Sequence, residues 1–167
     1  MRSPVPPWLV GVFVTFFAAC LGAPLASAQS NPALAGTWTL DRGATPTGRG
    51  SGGINGIPLA GTMVIKLSAT EVTVESDTGS GQSMQTFVYK LDGSTNPVPG
   101  SLGWDTQAKA AWESGTLVIM TRRSMQGPTG TMGVETKDVY HVAGDVLTID
   151  RSLGRATQKL VYKKGAA

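Results

Sequence analysis

From Gly36 to Lys164 the chain alternates apolar and polar residues at a period of two, in short runs that stop at Gly, Asp, Asn, Ser and Pro. That period belongs to a strand whose two faces see different surroundings, since a helix repeats near 3.6. No segment of this stretch keeps a helical period. The runs fall at 36–41, 61–68, 70–77, 82–91, 105–113, 115–124, 131–143, 145–151 and 155–164. Turn-forming residues separate them: Asp77-Thr78-Gly79-Ser80-Gly81, Asp92-Gly93, Ser114-Gly115, Gly127-Pro128-Thr129-Gly130 and Gly144-Asp145. Short connections between successive strands make an up-and-down meander. A meander of 8–9 strands can close on itself and so remove its exposed edges. The expected fold is all-β, a single antiparallel up-and-down β-barrel, with an open sandwich as the competing arrangement.

Two segments interrupt the meander. Gly43 to Gly61 holds seven glycines and two prolines, with Arg49 its only charge. A connection this long is either a lid over the barrel mouth or a mobile loop of no specific role. Because glycine maximises backbone freedom, it is expected to be the most mobile part of the fold. In Asn96-Pro97-Val98-Pro99-Gly100 two prolines forbid a central strand and predict a crossing loop.

The N-terminus has a different grammar. Arg2 precedes an uncharged apolar stretch, Trp8 to Leu21, and Ala26-Ser27-Ala28 gives the small-x-small pattern of a signal-peptide cleavage site. The stretch is shorter than the roughly 20 residues that span a bilayer. Residues 1–28 therefore read as a signal peptide, cleaved after Ala28, and 29–167 as the barrel domain. The expected address is periplasmic or secreted, with no transmembrane segment in the mature chain. Phe17-Ala18-Ala19-Cys20 offers a second reading as a lipobox with a lipidated Cys20. Removing the signal takes Arg2 and the only cysteine with it. The remaining 139 residues carry thirteen Lys and Arg against eleven Asp and Glu, a mild net charge of +2. No basic run is interleaved with aromatics, so nucleic-acid binding is unsupported. Thiolate, disulfide and redox chemistry are excluded for the mature chain.

Against that background Gly36-Thr37-Trp38 on the first strand resembles the opening motif of lipocalin and calycin barrels. Phe87-Val88-Tyr89-Lys90-Leu91-Asp92-Gly93 and Lys159-Leu160-Val161-Tyr162-Lys163-Lys164 likewise resemble small secreted bacterial lipocalin-like proteins. The resemblance implies that Trp38 closes one end of the barrel beneath a basic side chain of the last strand, here Arg155 or Lys159. It also implies that the loop after the first strand hangs over the open mouth. Gly36 and Trp38 are structural on physical grounds as well. Glycine permits close backbone approach, and an indole fills a tapered barrel end. Leu34-Ala35-Gly36-Thr37-Trp38-Thr39-Leu40 is also similar to the first strand of bacterial periplasmic inhibitors of secreted metalloproteases. In those barrels an N-terminal tail, corresponding to Gln29 to Ala33, enters the protease. That family typically carries a disulfide, which this mature chain lacks.

Catalytic signals are poor. His141, the one histidine, shares a face with Lys137 and Val139, opposite Tyr140 and Val142. It reads as a surface residue, and neither a Ser-His-acid set nor a Gly-x-Ser-x-Gly elbow can be assembled. Met120, Met125, Met132 and His141 would suit copper, but methionine is more often core filler. No cofactor, metal or catalytic residue is assigned, and the chain reads as a non-enzyme.

The informative pattern lies on the last four strands. Leu117, Ile119 and Thr121 lead by twos to Arg123; Leu147 and Ile149 lead to Arg151. Thr136, Asp138, Tyr140 and Val142 share a face, as do Gln158, Leu160 and Tyr162. If the apolar members point inward, Arg123, Asp138 and Arg151 do too. An inward charge must be paired, hydrated or reserved for a ligand. One reading is an Arg–Asp pair at the barrel rim. The other is an anion-receiving pocket in which Arg123, Tyr140, Arg151 and Tyr162 bind a ligand. Two functions follow: holding a small apolar or amphiphilic ligand inside the barrel, or docking a protein partner as a protease inhibitor or envelope-structural barrel.

Overall fold

A computed structural model describes residues 30–46, 59–77, 84–100 and 103–165. The expected signal peptide and the middle of the 43–61 loop lie outside the described residues. The chain opens with a short 3-10 turn, Pro32–Leu34, followed by ten strands: β1 (Gly36–Leu40), β2 (Thr62–Leu67), β3 (Glu71–Ser76), β4 (Gln85–Lys90), β5 (Asn96–Pro97), β6 (Asp105–Glu113), β7 (Thr116–Gly127), β8 (Gly130–Ala143), β9 (Val146–Leu153) and β10 (Ala156–Lys164). All pairings are antiparallel, in the order β4-β3-β2-β1-β10-β9-β8-β7-β6-β5. The first strand thus pairs with the last, and the sheet curls into a nearly closed barrel.

The strands exceed the expected 8–9 by β5. Its two residues pair with Ala108 and Gln107, too short a run to carry any alternation. Proline is tolerated because β5 is an edge strand. The seam between β4 and β5 is closed by a side chain. The Asn96 amide donates to the Val88 carbonyl at 2.9 Å, and its oxygen accepts from the Lys90 N–H at 3.4 Å. A side-chain amide stands where a strand would offer a peptide.

Inward residues follow the period of two. The base of the barrel is apolar: Leu34, Trp38, Ile65, Val72, Leu117, Leu147 and Leu160 are all essentially fully buried. Burying each aliphatic side chain contributes about 1.5–3 kcal/mol. Trp38 closes this end, and its Nε1–H donates to the Leu34 carbonyl at 2.9 Å. Gly36 adopts φ +136°, which L side chains rarely reach, and a Cβ there would press on Lys164. The basic group over the indole is Lys164, its Nζ 5.4 Å from the ring centroid; Arg155 and Lys159 do not fill that place. β1 pairs only with the C-terminal end of β10, setting Trp38 opposite Lys164. Lys159 lies five residues away, roughly 16 Å along a strand. It sits instead on the outer surface, 4.0 Å from Asp150.

The described ends of the long loop are stitched down. Thr45 is buried and exchanges hydrogen bonds with the Val161 backbone, and the Asp41 carboxylate caps the amides of Gly43 and Ala44.

Candidate functional site

Each inward ladder changes character along the barrel axis. β7 runs from Leu117 and Ile119 to Thr121 and Arg123; β9 runs from Leu147 and Ile149 to Arg151. β8, read backwards, passes from Val142 and Tyr140 to Asp138 and Thr136, and β3 from Val72 and Val74 to Ser76. β6 adds Ala110, Ala108 and Thr106. The registers set these changes at the same end of the molecule. An apolar floor thus gives way to a polar upper layer. The result is an interior cavity of about 170 Å³, walled by Met63, Val74, Phe87, Val98, Ile149 and Leu160 beneath the polar groups.

Arg123, Tyr140, Arg151 and Tyr162 all line this one cavity, but they are differently engaged. Arg151 stands directly opposite Asp138 and is bound by it through both carboxylate oxygens, Nε to Oδ1 at 2.8 Å and Nη2 to Oδ2 at 2.7 Å. Both side chains are about 85% buried. Burial opposes the Arg151 charge, yet the adjacent Asp138 carboxylate more than offsets this and holds its pKa above the ordinary value. Arg123 has no such partner among the described residues. Its nearest register neighbours are Thr106 and Val134. Burial, and then repulsion from Arg151, lower its pKa.

The phenols divide similarly. Tyr162 donates to the Ala60 carbonyl at 3.2 Å, and burial pushes its pKa up to about 12. Tyr140 is raised by burial and then by the Asp138 charge, and its hydroxyl has no hydrogen-bond partner among the described residues.

Two groups escaped the sequence reading. Tyr89 lines the cavity from β4, stacked against Phe87 with ring centroids 6.4 Å apart. Burial, then Asp138, raises its pKa as well. The Gln85, Phe87, Tyr89 alternation would have pointed to it. Thr106 is buried, and its Oγ1 has no hydrogen-bond partner among the described residues. No local signal marks a lone threonine as an orphan.

His141 lies on the outer surface, half exposed, 3.7 Å from Asp150. Among the described residues no group of three His, Cys, Asp or Glu is placed to hold a metal ion, and no helix is long and apolar enough to cross a membrane. Of the tail ahead of β1, Pro32–Leu34 are wound into a turn and Leu34 is sealed beneath the indole.

No protein-family model and no curated protein matches the chain by sequence. Solved structures do match by shape. A secretory abundant heat soluble (SAHS) protein from Ramazzottius varieornatus aligns at a TM-score of 0.57 with 16% identity, over 82% of this chain and 98% of that one. The fluorescent protein UnaG aligns at 0.56 with 17% identity, over 79% and 97%. SAHS protein 4 from Ramazzottius varieornatus gives 0.56, 16%, 82% and 98%. The fold is that of a lipocalin-like β-barrel.

Proposed function

We propose that this chain is an exported, non-enzymatic binding protein that holds a small amphiphilic ligand in its barrel, with the anionic end toward Arg123. The observation that carries the reading is the unpaired Arg123 guanidinium at the top of a cavity with an apolar floor. A partly desolvated cation without a partner is costly, and a carboxylate or phosphate relieves it through the guanidinium's planar donors. Tyr89 is the phenol whose charge is felt at Arg123, Tyr140 lines the same cavity, and Arg151 and Tyr162 shape the wall with their polar groups already engaged. The shared barrel architecture supports a container. The groups facing the cavity also favour holding over reacting. The phenols keep their protons far above neutrality, and the Asp138 carboxylate is occupied by Arg151.

Export rests on residues 1–28 alone, so one experiment should address both halves of the proposal. Native mass spectrometry of the protein purified from its own source is expected to give a chain beginning at Gln29 and carrying a small-molecule adduct. The adduct should be absent from Arg123→Gln. A chain that carries no adduct, and acquires none from a panel of apolar acids, would sink the binding role. A chain retaining residues 1–28 would sink export.

A further inference from the structure

Size, charge and donor placement together narrow what the cavity can hold. A space of about 170 Å³ is close to the roughly 150 Å³ engineered core cavity that admits one benzene, and well below the roughly 300 Å³ at which drug-sized pockets begin. The space suits one ring or a short chain, and a long acyl chain would have to extend out of it.

The charge count is as restrictive. Arg123 and Arg151 bring two positive charges to the lining, against the carboxylates of Asp138, which Arg151 consumes, and Asp77, which accepts from the Gly61 N–H at 3.4 Å. The tyrosines that line the wall are neutral. Arg123 is left without an ion-pair partner among the described residues, and with a second carboxylate already in the lining a dianion would leave a charge uncompensated where desolvation makes it expensive.

Donor placement gives the head-group position. Arg123 and Thr106 are directly opposite in the β6–β7 ladder, and both line the cavity. One is an unpaired guanidinium and the other carries a fully buried hydroxyl without a partner. Buried polar groups are almost always satisfied, and an unmet one calls for an explanation. Two unmet donors facing each other across one ladder are explained together by a single acceptor group with two oxygens.

Resting on the binding role proposed above, we infer that the site selects a compact monocarboxylate, with an apolar body no larger than one ring or a short chain. Arg123 and Thr106 receive its carboxylate, and Arg151 takes no part in head-group recognition.

Calorimetric titration of the mature protein tests this with benzoate, hexanoate, hexadecanoate, phthalate, benzamide and hexanol. Benzoate and hexanoate should bind one per chain, at least about tenfold more tightly than the others, the range expected for a charge-assisted bond. Thr106→Val keeps the side chain's shape, so it should lower benzoate affinity without lowering the thermal midpoint. Arg123→Gln should abolish the preference for benzoate over benzamide. Phe87→Ala removes a wall and should move the optimum to longer acids. Tighter binding of hexadecanoate than hexanoate, or unchanged benzoate affinity in both head-group variants, overturns this inference and leaves the binding role standing. Binding of hexanol with no acid bound does the same. If nothing in the series binds at any length or charge, the binding role itself falls.

Discussion

Arg123 and Arg151 hold equivalent places on neighbouring hairpins, yet removing their charges should have opposite consequences. Arg151→Gln strands the Asp138 carboxylate, whose side chain is only 13% exposed. Breaking a pair this buried costs about 3 kcal/mol or more, because the surviving charge loses its counter-ion. Arg123→Gln removes a cation with no ion-pair partner among the described residues, so stability should stay within about 0.5 kcal/mol of wild type or rise. Urea unfolding of the two variants checks the contrast; equal losses would mean that Arg123 has a partner after all. Alternation alone placed both arginines and Asp138 on inward faces. It did not reveal which arginine takes the carboxylate, because that depends on register. Asp138 faces Arg151 across β8–β9 and Ile119 across β7–β8. Arg123 is four residues beyond Ile119, about 13 Å along the strand.

At the scale of elements, nine strands were legible because period two and turn residues are local properties. β7 and β8 run further than expected, to Gly127 and from Gly130, where the Pro128-Thr129 pair forms the loop. What the sequence hid were the consequences of closure. Three of them are the two-residue β5, the Asn96 seam, and the meeting of Trp38 with Lys164, none of which leaves a periodic pattern in the sequence. The Gln85, Phe87, Tyr89 alternation marks Tyr89 as inward, but only the curling of the sheet brings it into the same cavity as Arg123. The seam makes its own prediction. Asn96→Ala deletes both side-chain bonds across the seam, along with the local one to the Pro97 carbonyl, and should cost about 1–2 kcal/mol. Asn96→Asp keeps an acceptor for the Lys90 N–H but loses the donor to Val88. Amide exchange at Lys90 should therefore accelerate strongly in the alanine variant and weakly in the aspartate one. Equal protection in both would show that β4 and β5 hold together without Asn96.

At the scale of the molecule, all three tyrosines of the chain lie inside the barrel, and this fixes its response to alkali. Tyr162 is pushed up to about 12 from an ordinary value near 10, and Tyr89 and Tyr140 are also raised, in each case chiefly by burial. The unfolded chain therefore releases phenolic protons at lower pH than the folded one. Their contribution to stability is complete below pH 10 and is lost as pH climbs toward about 12. The thermal midpoint should fall steeply above pH 10, with the phenolate absorbance appearing together with unfolding. Phenolate appearing near pH 10 in a still-folded barrel would mean that solvent reaches the rings.

The layering of polarity along the barrel axis has a consequence for descent as well as for physics. The groups proposed to choose a head and the groups that bound a body occupy different rungs of the barrel wall, with Thr106 and Arg123 above, Val74 and Ile149 below. A substitution on one rung leaves the other in place, because neighbouring rungs are tied through a backbone that neither side chain alters. Affinity for charge and tolerance of bulk are then separate traits, open to change one residue at a time. Under the proposed binding role, a lineage carrying this barrel can exchange one ligand for another by single replacements on the lower rung, with the end closed by Trp38 untouched.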